Sequence, residues 1–419
     1  MKKLLLITSV SAIVNVLRFS LNILVGKVIA VYLGPSGVAL SGQFQNFSNL
    51  LFGLAGSPFN TAVVKYTAEN RSGNCESMFV WWKSAWIIST VLISLLIFAI
   101  LSFSQVLSVR LLHSDSYKWV FQIYALCLPV VAIGCYLTAI LNGYGEYNIY
   151  FRINIYSMLI AAAATIGLTI KFGFVGVIIS LSFNPLFIGV VSVFNKSCVQ
   201  YLKKDVFLAI VSTHNILGIL KYVSMSVSSL ALNALSSIIA RDILMEKVGL
   251  EIAGQWQAVY KITELFLSVF MIALNTHYLP ALSSSKTSLA IRETVKQTMY
   301  VIIPICASAA TLIFFTKSFI VSFLLSDSFS YSKKFFLVLL ISSVIKMASW
   351  ILAYPMLSQG KFKWFVLTEI AFSLTFILAT KILVDKYGAE GASFAVFLNA
   401  SIYLIFISCV FNRLSKIQN

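Results

Sequence analysis

The chain has 419 residues, of which 59% are hydrophobic and only 11% are charged, and its mean hydropathy is +0.92. A soluble domain carries roughly a quarter charged residues, so this composition excludes a water-soluble fold. The formal net charge of +17 does not indicate nucleic-acid binding, because basic loops beside membrane helices follow from the positive-inside rule.

Apolar runs recur along the chain, and each is long enough to cross a hydrocarbon core of about 30 Å. Lipid offers no partners to backbone N–H and C=O groups, so these runs must be helices. The predicted spans are 4–33, 40–66, 79–104, 118–142, 150–171, 174–195, 215–240, 252–280, 296–316, 335–357, 362–384 and 391–411. The first span lacks a small-residue cleavage site and is expected to be a retained helix, not a signal peptide. The prediction is an all-α integral membrane protein of about twelve transmembrane helices.

Two short internal matches indicate a repeat. Gly37–Gln45 resembles Gly249–Gln257, and Lys171–Gly176 resembles Lys386–Gly391, so the members of each pair are separated by nearly the same length of chain. An even six-helix repeat gives two halves of parallel topology, related by a pseudo-twofold axis along the membrane normal. The expected organisation is an N-terminal half (1–195), a cytoplasmic linker (196–214) and a C-terminal half (215–419), with a central cavity between the halves.

The distribution of Lys and Arg predicts the orientation. Sixteen of these residues fall on the side that holds both termini and the even-numbered connections, and ten fall on the other side. The positive-inside rule therefore places both termini in the cytoplasm.

Predicted helix 1 carries a polar stripe. Ser11, Asn15, Arg18 and Asn22 follow the i, i+4, i+7, i+11 spacing of one helical face. Arg18 lies about 21 Å along the helix at 1.5 Å per residue, and an ionisable residue at such depth usually faces a cavity or a partner. The stripe indicates a cavity lining, and the alternative is a hydrogen-bonded contact with a neighbouring helix.

Predicted helix 8 carries a second stripe. Gln257, Lys261, Glu264, Ser268 and Asn275 share one face, and Lys261 and Glu264 are close enough in sequence to pair. The functional interpretation is a lumen-lining pair, and the structural interpretation is an ion pair that only fixes helix packing.

The basic and acidic residues inside the predicted spans favour an anionic substrate. Five are basic and two are acidic, and a basic, partly hydrated lumen suits a phosphate or diphosphate group. The candidate substrate-binding residues are Arg18, Lys261, Lys346, Lys27, Lys221, Asn15, Asn22, Gln257, Asn46 and Asn60, and the candidate coupling residues are Glu264 and Glu369. Lys221 lies near a helix end, where it is equally able to extend to the interface.

Several short segments resemble a known family. They are Leu24–Gly37, Asn60–Tyr66, Gly254–Gln257 and Tyr278–Ser283, and they are similar to segments of the bacterial O-antigen and enterobacterial common-antigen flippases. These proteins belong to the multidrug/oligosaccharidyl-lipid/polysaccharide exporter superfamily. The resemblance implies a flippase that moves undecaprenyl-diphosphate-linked oligosaccharide from the cytoplasmic to the periplasmic leaflet by alternating access. It implies that no cofactor is required, and it allows coupling of transport to protons or sodium. The potential partners are membrane lipids and the polymerase and chain-length proteins of the pathway.

Two alternatives stay open. One is a multidrug or other small-molecule exporter of the same superfamily, although a basic lumen would repel cationic drugs. The other is a membrane-embedded polysaccharide polymerase or glycosyltransferase. The sequence shows no DxD, no HExxH and no metal-like spacing among His113, His214 and His277, so neither an enzyme nor a metal site is expected.

Overall fold

The computed structural model describes residues 2–70, 75–202, 206, 208–284, 287–358 and 362–417, and this part of the chain contains helices and no strand. Twelve of the helices are long. They are α1 (2–33), α2 (35–69), α3 (Cys75–Leu112), α4 (Lys118–Tyr144), α5 (147–172), α6 (174–194), α7 (Thr213–Val248), α8 (250–284), α9 (Ser288–Phe315), α10 (Phe336–Ser358), α11 (Phe362–Tyr387) and α12 (Ala389–Ile417). The predicted all-α fold of about twelve helices is confirmed.

Two glycines separate helices that otherwise run on without a loop. Gly34 has a φ of 64° between α1 and α2, and Gly173 has a φ of 57° between α5 and α6. A residue with a positive φ interrupts a helix, and glycine adopts such a φ without a Cβ clash.

Eight continuous stretches of the described residues are long and apolar enough to cross a membrane. Two of the stretches, Ile13–Pro58 and Tyr147–Phe183, contain the glycine breaks, so the eight stretches hold ten helices. The other two long helices, α7 and α8, are not among these eight stretches. Helix α8 carries the charged residues Glu251, Lys261 and Glu264. The chain is a multi-pass membrane protein.

Four glycines with a positive φ define the register of the internal repeat. The spacing from Gly34 to Gly249 along the chain equals the spacing from Gly173 to Gly388. Gly249 has a φ of 84° and Gly388 has a φ of 58°. The predicted pairing of Gly37 with Gly249 is therefore wrong. The backbone equates Gly34 with Gly249 because both glycines separate two helices with a positive φ and an extended ψ.

The N-terminal unit consists of Met1–Tyr32 and Ser41–Ala234. Its central helix is α4, which contacts α2, α3, α5 and α6. The Tyr124 hydroxyl of α4 donates to the Ser48 carbonyl of α2 at 2.9 Å, and the Trp82 indole N–H of α3 donates to the Thr67 hydroxyl of α2 at 2.9 Å. Buried hydrogen bonds thus join three helices of this unit.

The C-terminal unit consists of Leu33–Leu40 and Leu235–Asn419. Its central helix is α10, which contacts α8, α9, α11 and α12. Helix α4 has the equivalent set of contacts within the N-terminal unit. The Tyr278 hydroxyl of α8 donates to the Ile351 carbonyl of α10 at 2.7 Å. The functional division into halves at 196–214 stays a prediction.

A close helix crossing in the N-terminal unit gives a stability prediction. A Cβ added at Gly134 of α4 would lie 2.5 Å from the Gly189 backbone nitrogen of α6, so Gly134→Ala should separate these helices. Overpacking of this kind costs about 1–3 kcal/mol. The check is the unfolding temperature of the purified protein.

The matched control is Gly167→Ala in α5, where an added Cβ has nothing within 4 Å. This substitution should leave the unfolding temperature unchanged or raise it slightly, because alanine favours helix over glycine. Equal effects of the two substitutions would contradict the packing argument.

Candidate functional site

A cluster of charged side chains lies within the C-terminal unit, on α7 and α8. Arg241 of α7 is only 3% exposed and interacts electrostatically with Glu264 and Tyr260 of α8. Lys261, which is half-buried, interacts with both Glu264 and Arg241. Glu264 is thus the common anionic partner of two cations, and the net charge of these three side chains is +1. We call Arg241, Tyr260, Lys261 and Glu264 the α7–α8 cluster.

Two aromatic residues hold the cluster in place. The Tyr260 hydroxyl interacts electrostatically with the Glu264 carboxylate, and the Tyr260 ring stacks on Trp256 with centroids 4.9 Å apart. The Trp256 indole N–H donates to the Ser393 hydroxyl of α12 at 3.0 Å. These contacts connect Tyr260 to a third helix.

The predicted pairing of Lys261 with Glu264 has a third member that the sequence analysis placed in a loop. That placement of Arg241 is wrong, because α7 continues to Val248. The signal was present in the sequence, since neither proline nor glycine occurs between Gly218 and Gly249. Because charged residues follow residue 240, the predicted helix was ended there.

A second polar cluster joins α10, α11 and α12 of the same unit. Glu369 of α11 interacts electrostatically with Lys346 of α10 and with Tyr403 of α12. The Lys346 ammonium also lies 5.2 Å from the centroid of the Trp350 ring, a distance typical of a cation–π contact. The structure thus brings together Lys346, predicted to bind substrate, and Glu369, predicted to couple transport. We call Lys346, Glu369 and Tyr403 the α10–α12 cluster.

The Lys346–Glu369 interaction can be measured by a double-mutant cycle. We expect Lys346→Met and Glu369→Gln each to lower the unfolding temperature, because each leaves one charge of a half-buried pair without its partner. The double substitution should cost less than the sum of the two, with a coupling of about 0.5–3 kcal/mol. Lys381→Met, on the exposed face of α11, is the control and should have little effect. Additive effects of the two substitutions would show that the pair contributes nothing to stability.

The polar stripe of α1 belongs to the N-terminal unit. Arg18 and Asn22 are exposed and Asn15 is half-buried. Within the part of the chain that the structure describes, Arg18 makes no hydrogen bond, ion pair or ring contact. Nothing described therefore supports the alternative of a hydrogen-bonded helix contact for this guanidinium group.

The other candidate residues differ in exposure. Lys27 of α1 and Asn46 of α2 are half-buried, and each has an interaction partner. Gln257 of α8 is 4% exposed, and its side-chain carbonyl oxygen accepts no hydrogen bond from the described residues. The side chains of Asn60 and Lys221 lie outside the described part of the structure.

The sequence is similar to a known protein family and to a known relative. Residues 4–286 match the family described as polysaccharide biosynthesis protein. The lipid III flippase of Escherichia coli (strain K12) is 23% identical over 404 residues, which are 95% of each chain.

Two solved structures share the fold. An inward-facing multidrug resistance MATE family transporter of the MOP superfamily superimposes with a TM-score of 0.78 and 13% identity, covering 97% of this chain and 98% of its own. The lipid II flippase MurJ in an inward closed conformation superimposes with a TM-score of 0.72 and 14% identity, covering 97% of this chain and 87% of its own.

Proposed function

The chain belongs to the polysaccharide biosynthesis protein family and has the fold of the MOP superfamily, and we propose from this premise that it is a flippase for lipid-linked oligosaccharides. The observation that carries the proposal is the match to the lipid III flippase over 95% of both chains. The charged groups agree with it, because a diphosphate requires cations in a partly hydrated path.

The proposed substrate is an oligosaccharide linked to undecaprenyl diphosphate. In this account the protein resides in the bacterial inner membrane with both termini in the cytoplasm, and it moves the substrate to the periplasmic leaflet by alternating access. Arg18, Lys261 and Lys346 contribute positive charge to the substrate path. Arg241 holds Glu264 and adds to the positive potential at Lys261. The protein acts as a transporter, and polymerase and chain-length proteins would receive the flipped product.

Loss of the gene tests the proposal in the cell. We expect undecaprenyl-linked oligosaccharide to accumulate in the cytoplasmic leaflet while surface glycan disappears. Expression of the wild-type chain should restore surface glycan. Normal glycan display after deletion, together with altered resistance to cationic drugs, would instead support the multidrug exporter.

The α7–α8 cluster also supports a coupling role for Glu264. A substrate diphosphate would compete with the carboxylate for Arg241 and Lys261. Substrate binding would then release Glu264 to interact with the coupling ion. Glu369 of the α10–α12 cluster is the second candidate for the same role, with Lys346 as its cationic partner.

The coupling role predicts a specific defect in Glu264→Gln. The variant should flip substrate about tenfold more slowly, and an imposed proton or sodium gradient should no longer accelerate it. The measurement is flipping in proteoliposomes with and without each gradient. Glu251→Gln, in the exposed first turn of the same helix, should retain the wild-type response. A Glu264→Gln variant that responds to gradients like the wild type would remove Glu264 from the coupling mechanism.

A further inference from the structure

An apolar groove lies between α9 and α10 within the C-terminal unit, and we call it the α9–α10 groove. Its volume is about 430 Å³, within the range of about 300–1,000 Å³ that is typical of ligand sites. The short side chains of Ala307, Ala310 and Thr311 line it on α9, and its lining on α10 extends from Leu337 to Ile345. The Thr311 hydroxyl donates to the Ala307 carbonyl of its own helix at 2.9 Å, so this hydroxyl needs no partner from an occupant. The groove therefore suits an apolar chain.

The internal repeat shows that the groove depends on the particular residues of α9. The spacing of the paired glycines equates Ala307 with Leu92 of α3, and Thr311 with Leu96 of α3. Leucine is larger than alanine or threonine, so α3 carries bulk at positions where α9 leaves space. The groove is thus a feature of the α9 sequence and not a consequence of the repeated fold.

The surface around the groove is apolar and exposed. Leu312 and Phe315 of α9 are 65% and 78% exposed, and Ile341 of α10 is 44% exposed. Exposed apolar side chains on a membrane-spanning helix contact lipid. The lining on α9 extends from Ala307 to Phe315, a length of about 12 Å at 1.5 Å per residue. This length is close to one leaflet of the hydrocarbon core, which is about 15 Å thick.

Basic side chains lie in the connection between α9 and α10, at one end of the groove. Phe314 lines the groove, and the Lys317 ammonium lies 4.1 Å from the centroid of its ring. Lys333 and Lys334 end the 3₁₀ helix that precedes α10. In the part of the chain that the structure describes, none of these three ammonium groups forms an ion pair. Asp327 is the one acidic residue of this connection, so its net charge is positive.

We propose that the α9–α10 groove binds one anionic phospholipid of the bilayer, with an acyl chain in the groove and the phosphate at Lys317. An apolar groove about one leaflet long, with cations at its end, matches the two parts of such a lipid. An undecaprenyl chain fits less well, because it is several times longer than the groove. The bound lipid fills the space between α9 and α10 and stabilises the C-terminal unit. This inference does not depend on the proposed function, since the lipid is not the transported substrate.

The unfolding temperature of the purified full-length protein in detergent tests the site. A ligand that binds the folded protein raises this temperature as its concentration rises. The probes are phosphatidylglycerol, phosphatidylcholine with the same acyl chains, and undecaprenyl phosphate. We expect phosphatidylglycerol to act at the lowest concentration, because the net charge of phosphatidylcholine is zero. Lys317→Met should weaken the response to phosphatidylglycerol about fivefold, the usual effect of one lysine near an anionic lipid.

A groove-filling variant tests the chain site separately from the charge. Ala307→Leu with Thr311→Leu introduces the residues that α3 carries at the equivalent positions, and it should remove the saturable response to phosphatidylglycerol. The control is Lys171→Met on α5, where the ammonium lies 5.3 Å from the Phe172 ring centroid, and it should respond like the wild type.

Three results would overturn the phospholipid site. They are equal responses of the wild type to phosphatidylglycerol and phosphatidylcholine, a wild-type response of Lys317→Met, and a stronger effect of undecaprenyl phosphate than of phosphatidylglycerol. The last result would assign the groove to a polyprenyl chain. If the groove-filling variant does not fold, the comparison of Lys317→Met with Lys171→Met decides, because neither substitution changes the groove lining.

Discussion

Replacement of Arg241 with methionine should both destabilise the C-terminal unit and stop transport. Arg241 is 3% exposed and interacts with Glu264, so its removal deprives the carboxylate of its cationic partner from α7. Glu264 itself is exposed, so we expect the loss of Arg241 to cost about 0.5–3 kcal/mol, the usual range for a single substitution. We expect a lower unfolding temperature of the purified protein and loss of surface glycan at equal membrane abundance.

A second substitution separates stability from transport. In Arg241→Met with Glu264→Gln, both members of the interaction are removed, so the double substitution should cost less stability than the sum of the two single substitutions, while transport stays absent. The control is Lys247→Met on the same helix, where the ammonium lies 2.7 Å from Asp385 and both side chains are about half exposed. Exposed pairs contribute little to stability, so this variant should resemble wild type. Strictly additive effects of the two substitutions would contradict the proposed pairing.

Replacement of Arg18 with glutamate should abolish transport without loss of stability. Arg18 is exposed on α1 and makes no hydrogen bond, ion pair or ring contact with any described residue, so its removal breaks no such interaction. If it binds the diphosphate, the required property is positive charge. Arg18→Lys should then retain substantial transport and lose only bidentate geometry, Arg18→Ala should lose at least about tenfold, corresponding to about 1.4 kcal/mol of binding, and Arg18→Glu should repel the substrate.

A structural role for Arg18 predicts a different order. An arginine that only bonds a neighbouring helix would tolerate lysine as poorly as glutamate, and all three variants would unfold at lower temperature. The measurements are surface-glycan display, normalised to membrane abundance, and the unfolding temperature. Wild-type display by Arg18→Ala would exclude Arg18 from the binding site.

The helices could be predicted from the sequence because the bilayer imposes a length and an apolar composition on each span. The breaks at Gly34 and Gly173 could be located for the same reason, since the apolar runs stop on either side of them. Helix ends beyond the hydrocarbon region were missed, as at Arg241, because charged residues resemble a loop once the apolar run ends.

The candidate site was predicted in part. The i, i+3 spacing of Lys261 and Glu264 lies within one helix and is readable from the sequence. The partners Arg241, Tyr260 and Tyr403 required tertiary structure, since no sequence spacing reports that two helices pack together. The pairing of Lys346 with Glu369 across α10 and α11 was unpredictable for the same reason.

Flipping by the purified chain in proteoliposomes tests the central claim most directly. The vesicles would contain fluorescent undecaprenyl-diphosphate-linked oligosaccharide in both leaflets, and a soluble glycosidase would digest only the outer pool. We predict that wild-type protein exposes the inner pool to digestion, whereas Arg18→Glu and Arg241→Met leave it protected as in protein-free vesicles. An inner pool that stays protected in the presence of folded wild-type protein would contradict the assignment as a lipid-linked oligosaccharide flippase.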